Sequence, residues 1–143
     1  MTKIPSRCIT PTDEAHIVFS ENKSKVTFEN PAHHKYLAIQ VDGCVFKAAD
    51  GSKCDNLLES EEYADQYFVE LKGGETAKAV EQLETTIGKL PPRLGDARRM
   101  AFAVFSNTCP KNDTKRQAIT KRFQKVGVTI VFCRTGHRHT LER

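Results

Sequence analysis

The chain has 143 residues, 38% hydrophobic and 28% charged, a composition that fits one soluble globular domain and excludes a fibrous or disordered chain. No segment approaches the ~20 apolar residues of a membrane span, and the first residues lack the apolar run of a signal peptide. We therefore expect a cytoplasmic protein with no membrane partner. The five cysteines lack the spacing of zinc ligands, which argues against structural zinc. Cys44 and Cys133 are expected to pack as free thiols inside apolar runs.

The net charge of +4 conceals an asymmetry along the chain. Residues 1–110 carry 13 Lys and Arg against 16 Asp and Glu, which sums to −3, whereas residues 111–143 carry 9 against 2, which sums to +7. A basic end on an acidic body is typical of a protein that binds a phosphate backbone and also holds a metal. A solvated helix face followed by a basic tail would give the same pattern, so both interpretations stay open.

The first half of the chain is predicted to consist of strands. Alternating apolar positions and a β-branched or aromatic composition predict strands over residues 16–20, 25–29, 35–48, 54–58 and 67–72. Asn30-Pro31 and Asp50-Gly51 mark breaks between strands. Asp42-Gly43 predicts a bend or bulge inside the third strand, although Asp42 could also be an extra acid near a site.

The second half is predicted to alternate helices with strands. A helix over about 75–90 has an apolar stripe and is stopped by Pro91-Pro92. The stripe comprises Ala77, Val80, Leu83, Ile87 and Leu90. Strands are predicted at 100–106 and 128–133, with a second helix between them. This helix is predicted to begin at a cap among residues 112–114 and to end at Gly127. Its stripe comprises Ala118, Ile119, Phe123 and Val126. Crossovers of this kind make the last three strands parallel, and residues 136–143 are expected to form a loose tail.

Asp55, Glu70 and Lys72 carry the clearest chemical signal. Residues at i and i+2 of a strand share a face, so Glu70 and Lys72 point the same way while Leu71 turns into the core. Asp55 on a neighbouring strand can meet Glu70 across the sheet. Two adjacent carboxylates supply the hard oxygen ligands that Mg²⁺ prefers. Acidic-x-Lys triplets also begin at Glu21 and Asp113, but only the triplet at Glu70 ends an apolar strand after another strand that bears an acid.

The block from Lys53 to Ile87 resembles the core of the PD-(D/E)xK nuclease superfamily, and Met100–Cys133 resembles it more loosely in its strand–helix–strand order. The resemblance implies a single-domain, restriction-endonuclease-like α/β fold, a mixed sheet flanked by helices, over residues 1–143. It also implies a nuclease that cuts nucleic acid, DNA in preference to RNA, with Mg²⁺ or Mn²⁺. Asp55 and Glu70, with the Leu71 carbonyl, would hold the metal. Lys72 would be the catalytic lysine, and Gln82 on the following helix would support it. Such nucleases often act as homodimers, because two strands need two sites.

The chain departs from this family pattern in two places. Residues 13–35 read as strands where the family opens with a helix, and Cys54 stands where the family usually has proline. The missing helix supports an alternative, a catalytically inactive protein on the same fold that binds another protein as an immunity or anti-defence inhibitor. Ordinary structural roles also stay open, with Glu70 and Lys72 as an exposed ion pair, Asp55 as a turn residue and Gln82 as a surface glutamine.

The second helix offers a separate basic surface. Its cationic residues off the apolar stripe could contact phosphates outside the cleft without reading sequence, and they could equally form a solvated face. These residues are Lys111, Lys115, Arg122 and Lys125. A non-enzymatic nucleic-acid binder that uses only this end is a third hypothesis. His33-His34 is interpreted as a solvated turn, because side chains at i and i+1 diverge, and His137 and His139 as non-catalytic tail residues.

Overall fold

The computed structural model describes residues 4–21, 23–47, 53–71, 75–107 and 109–142, which fold into two β-sheets and two α-helices. The strands are β1 Ile9–Thr12, β2 His16–Glu21, β3 Ser24–Glu29, β4 Tyr36–Gln40, β5 Asn56–Ser60, β6 Gln66–Glu70, β7 Arg99–Phe105, β8 Thr129–Arg134 and β9 His137–Thr140. The helices are α1 Thr76–Lys89 and α2 Thr114–Gln124, and a short 3-10 helix covers Ser6–Cys8.

The larger sheet is mixed and has the strand order β1-β4-β5-β6-β7-β8. Its first four strands pair antiparallel, whereas β6, β7 and β8 are parallel. The parallel arrangement confirms the prediction from the two crossover helices. The predicted α/β class, a mixed sheet flanked by helices, is likewise confirmed. Strands β2, β3 and β9 form a second, smaller sheet with the order β2-β3-β9.

Two apolar cores lie on opposite faces of the larger sheet. On one face Phe68 packs with Leu83 of α1 and Phe123 of α2. On the other face Phe102 packs with Phe28 of the smaller sheet. Strands β6 and β7 therefore lie between a helical layer and a second sheet, which explains why β7 reads as a continuous apolar run.

The predicted ends of the two helices agree with the structure better than their predicted apolar stripes do. Asp113 caps α2 by accepting a hydrogen bond from the N–H of Arg116 at 3.0 Å, and Gly127 has a φ of 76° just beyond that helix. The predicted stripes are only partly buried, because Ala77, Ala118 and Val126 are exposed. Val126 is 60% exposed, which leaves an apolar residue at the surface between α2 and β8.

Several predictions about the flanking segments were wrong. Residues 137–140 form strand β9, paired parallel with β3, rather than a loose tail. Strand β1 was not predicted at all. The strand expected over 35–48 ends at Gln40 and is followed by a turn closed by a bridge between Asp42 and Phe46. The predicted Asp50-Gly51 turn lies outside the described residues.

Cys44 forms a disulfide with Cys8, which corrects the expectation of a free thiol. Cys8 directly precedes β1, and Cys44 lies in the turn after β4. Since β1 and β4 pair antiparallel, with Ile9 opposite Ile39, the pairing brings these two cysteines to a Cα–Cα distance of 5.6 Å. Cys133 is a buried free thiol, as predicted. None of the described helices is long and apolar enough to cross a bilayer.

Candidate functional site at the end of strand β6

Asp55 and Glu70 lie beside each other where strands β5 and β6 end their pairing. Glu70 is the last residue of β6, and Asp55 directly precedes β5. The register pairs Asn56 with Val69, so the next step of the ladder places Asp55 opposite Glu70. The Asp55 carboxylate oxygen Oδ2 accepts a hydrogen bond from the N–H of Leu71 at 2.7 Å. The backbone pairing therefore places the two acids opposite each other across the sheet, as predicted.

Glu70 belongs to the face of the sheet that the helices cover. Alternation along β6 puts Glu70 on the same side as Phe68, which is in the helix-side core. Leu71 lies in the opposite core and is 2% exposed, as predicted. Glu70 is 0% exposed and Asp55 is 7% exposed. The interpretation of Glu70 as an exposed edge-strand residue is therefore wrong.

Helix α1 is joined to the segment that carries Asp55 through one threonine. The N–H of Cys54 donates to Thr86 Oγ1 at 2.9 Å, and the Thr86 hydroxyl donates to the Gln82 carbonyl oxygen at 2.9 Å. Burial, with smaller contributions from the negative charges of Glu70 and Asp55, raises the pKa of the Cys54 thiol to about 12. Cys54 is thus a neutral thiol next to both acids.

Gln82 lies on the side of α1 that faces the sheet and is buried, so it is not a surface residue. It is 6% exposed, on the face of α1 that packs against the sheet. Its backbone carbonyl receives the Thr86 hydroxyl, so the described contact of Gln82 with the Cys54 segment runs through its main chain. The alternative of a plain surface glutamine is wrong.

Lys53 is a buried lysine two residues before Asp55 that was not recognised from the sequence patterns above. It is 1% exposed, and its Nζ lies 5.3 Å from the centre of the Phe46 ring. The Nζ of Lys89 lies 5.7 Å from the same ring centre. The signal available in the sequence was the spacing, since Lys53 precedes Asp55 by two positions. Thr86, one helical turn after Gln82, was missed in the same way.

The carboxylates of Asp55 and Glu70 are the kind of ligand that a hard divalent cation prefers. Two carboxylates are suitable ligands for Mg²⁺ or Mn²⁺, and the described hydrogen bond of Asp55 occupies Oδ2 alone. No group of three or more His, Cys, Asp or Glu side chains suited to a metal occurs in the described part of the chain. Lys72, predicted as the catalytic lysine, lies outside the described residues. Among the described residues, the two acids would need backbone or solvent oxygens to complete such a site.

The predicted basic surface on α2 is exposed. Lys111, Lys115, Arg122 and Lys125 all lie at the surface. No Asp or Glu occurs within α2 itself, and Asp113 is used as its cap. Arg122 differs from the lysines because its Nε and Nη2 donate to the two carboxylate oxygens of Glu84 at 3.0 and 2.8 Å. Lys111, Lys115 and Lys125 make no ion pair with the described residues, and the exposed Lys121 of α2 adds to the positive charge of this surface.

Of the remaining candidates, Asp42 follows Val41, whose N–H donates to the Asp55 carbonyl oxygen at 3.0 Å, whereas His33, His137 and His139 make their described contacts with other residues. His33 has a φ of 53° and a ring nitrogen 2.9 Å from the Asp13 carbonyl oxygen, so it belongs to an exposed turn, as interpreted. Asp42 sits in the bridged turn before Gly43, which has a φ of 80°. His137 and His139 lie on β9 and contact aromatic rings between the two sheets.

Comparisons of the chain with protein-family models, with curated proteins and with solved structures found no match.

Proposed function

We propose that the chain is a metal-dependent nuclease that hydrolyses phosphodiester bonds of nucleic acid, with DNA as the preferred substrate. The observation that carries the proposal is the placement of Asp55 opposite Glu70, with Asp55 tied to Leu71 by a hydrogen bond of 2.7 Å. Two carboxylates at one buried strand end are costly unless a cation or hydrogen bonds offset their charge, and a bound cation would supply that offset. Mg²⁺ or Mn²⁺ is the proposed cofactor.

Asp55, Glu70 and the Leu71 carbonyl would hold this ion, which supplies Lewis-acid polarisation of a phosphate oxygen when bound. Lys72, two residues after Glu70, would position the attacking water. Thr86 and Gln82 would keep the Cys54–Asp55 segment against α1 through the two hydrogen bonds of 2.9 Å. The lysines on α2 would contact phosphates beyond the scissile one and give affinity without sequence readout.

Cleavage of a supercoiled plasmid and of a labelled single strand in Mn²⁺ tests the proposal. The Glu70→Gln and Asp55→Asn proteins should lose cleavage while keeping the circular dichroism spectrum of the wild type. Glu59→Gln is the matched control, because Glu59 is also a buried acid on β5 and is paired with Arg93 at 3.1 Å away from the site. Cleavage by the Glu70→Gln protein at the wild-type rate would refute the assignment.

A second candidate function follows from the burial of the two acids. Glu70 is 0% exposed and Asp55 is 7% exposed, whereas a substrate phosphate has to reach the bound ion. This burial favours a catalytically inactive protein of the same kind, which acts by binding another protein as an immunity or inhibitor factor. Isothermal titration with Mn²⁺ separates the two candidates, since the enzyme should bind the ion through Glu70 and the inactive protein should show no heat that depends on Glu70.

Location and assembly belong to the same proposal. We propose a cytoplasmic protein that can form a homodimer, so that two sites face the two strands of a duplex. The Cys8–Cys44 disulfide argues against this location, because disulfides persist mainly in oxidising compartments. Alkylation of Cys8 and Cys44 in cells lysed directly into denaturant tests it, since Cys8 is only 4% exposed in the folded chain, and the cytoplasmic proposal requires both thiols to be labelled. Sedimentation with and without duplex DNA tests the dimer.

A further inference from the structure

A groove separates the C-terminal half of α1 from α2, on the far side of α1 from strand β5. Its volume is about 310 Å³. The walls are apolar, and two arginines and one glutamate line it as well. The groove-lining residues used below are Ile87, Pro91, Phe123, Val126, Arg99 and Arg122, with Glu84 at the rim.

Arg99 is a half-buried cation whose contacts with the described residues are all to neutral groups. Its Nη2 donates to the carbonyl oxygens of Ile87 and Leu90 at 3.0 and 3.1 Å, and its Nε donates to Gln66 Oε1 at 2.7 Å. Its guanidinium carbon also lies 5.6 Å from the centre of the Phe68 ring. Within the described ranges no carboxylate contacts Arg99, and its hydrogen bonds use Nε and Nη2, so its charge is not neutralised and Nη1 is left to bind an anion.

Arg122 can add a second positive charge at the rim. Its pairing with Glu84 has a shortest distance of 2.8 Å, and the two side chains are 54% and 40% exposed. Solvent screens an exposed pair, so a ligand carboxylate that also gains apolar contacts in the groove can compete with Glu84 for Arg122. The three charged side chains that line the groove, Arg99, Arg122 and Glu84, sum to +1.

We propose that this groove binds a small organic anion, a carboxylate attached to an apolar body. The charge complementarity comes from Arg99 and Arg122, and the apolar body would lie against Phe123 and Val126. A volume of about 310 Å³ lies at the small end of the roughly 300–1,000 Å³ of ligand pockets, which suits a small ligand. The inference is independent of the nuclease proposal, because the groove does not include Asp55 or Glu70.

Sodium octanoate is a suitable probe, with 1-octanol as a neutral molecule of similar length. Two-dimensional ¹H–¹⁵N spectra of the full chain should show octanoate shifting the amides of Gly88, Arg99 and Val126, with octanol binding at least tenfold more weakly. Glu84→Gln removes the competing carboxylate and should tighten octanoate binding roughly three- to tenfold, whereas Arg122→Gln should weaken it by a similar factor. Both positions are exposed, so neither change should affect folding.

The control is a Glu→Gln substitution in a Glu–Arg pair that lies outside the groove. Glu29 pairs with Arg138 at 2.8 Å on the smaller sheet, and Glu29→Gln should leave octanoate binding unchanged. Equal binding of octanol and octanoate would overturn the proposal, because the groove would then be merely apolar. Weaker binding by the Glu84→Gln protein, a gain by Glu29→Gln equal to that of Glu84→Gln, or shifts confined to other residues would overturn it too.

Discussion

The Asp55 carboxylate accepts a hydrogen bond from the backbone N–H of Leu71 at 2.7 Å, across the end of the β5–β6 pair. This bond replaces the ladder contact that the strands would otherwise continue, because Asp55 precedes β5 and Leu71 follows β6. Asp55 therefore supports the backbone that carries Glu70, in addition to any part it plays in binding a cation. A variant at this position has to be judged on stability as well as on activity.

Replacing Asp55 by alanine should destabilise the fold by about 1–3 kcal/mol, because the buried N–H of Leu71 loses its acceptor. Asp55→Asn keeps an oxygen acceptor of the same shape and should cost less than the alanine variant. Urea unfolding followed by circular dichroism measures both free energies. Equal stability of the alanine variant and the wild type would show that the hydrogen bond contributes nothing.

Mn²⁺ should raise the melting temperature of the wild type but not that of Glu70→Gln. A ligand at 100 times its Kd stabilises the native state by about 2.7 kcal/mol, which corresponds to a shift of roughly 8–11 °C for a chain of this size. Differential scanning fluorimetry over a range of Mn²⁺ concentrations measures the shift. Glu59→Gln should shift like the wild type, and an equal shift in Glu70→Gln would place the ion elsewhere.

The lysines on α2 should contribute to nucleic-acid affinity through phosphate neutralisation. Replacing Lys115 or Lys125 by glutamine should weaken binding equally for all sequences and lower the slope of log K against log salt by about 0.9 each on duplex DNA. Arg122→Gln should have a smaller effect, because Glu84 already neutralises Arg122. Fluorescence anisotropy at several salt concentrations provides the slopes. Lys25→Gln, at an exposed position on β3, is the control.

Local patterns identified the part of the fold on which the candidate site depends. The apolar alternation of β6, the stripe of α1 and the continuous apolar run of β7 predicted these elements and their parallel order, because each pattern reflects burial by a neighbouring layer. The same alternation predicted that Glu70 and Leu71 face opposite sides. Placing Asp55 opposite Glu70 needed only the antiparallel order of β5 and β6.

Features that depend on distant pairing could not be predicted. Strand β9 lies beside β3, and nothing in its polar sequence, His137–Thr140, indicates a strand, since its stability comes from pairing with residues more than a hundred positions earlier. The Cys8–Cys44 bond likewise depends on the register of β1 with β4. The burial of Glu70 was also hidden, because a carboxylate at a strand end gives no local sign of the layers that cover it.

The Cys8–Cys44 disulfide closes a loop with a sequence separation of 36 residues. Loop-closure entropy of this size corresponds to a stabilisation of about 3–4 kcal/mol. Reduction by dithiothreitol, or replacement of Cys44 by serine, should therefore lower the melting temperature. Cys109→Ser removes a free cysteine and should leave the response to dithiothreitol intact. The same melting temperature with and without reductant would mean that the bond does not form in solution.

His139 should make stability depend on pH near neutrality. Its ring lies between the two sheets, with centroid distances of 5.2 Å to Phe102, 5.9 Å to Tyr67 and 6.0 Å to Phe28. Burial, and to a smaller extent the charge of His137, lowers the pKa of His139, whereas Glu142 opposes this shift. The neutral imidazole is thus the form that the folded protein prefers.

The sign follows from proton binding in the two states. Between the lowered folded pKa and the ordinary value of about 6.5, the unfolded chain binds more protons at this residue than the native protein does. The free energy of unfolding therefore rises with pH through that window and falls as the solution is acidified below about 6.5. His139→Phe keeps an aromatic ring against Phe102 and removes the titrating group, so its urea midpoint should fall less between pH 7.5 and pH 5.5 than that of the wild type. His16→Phe, at an exposed position on β2, should retain the wild-type pH dependence. If the His139→Phe midpoint follows the wild type over this range, the loss of stability in acid arises from other groups.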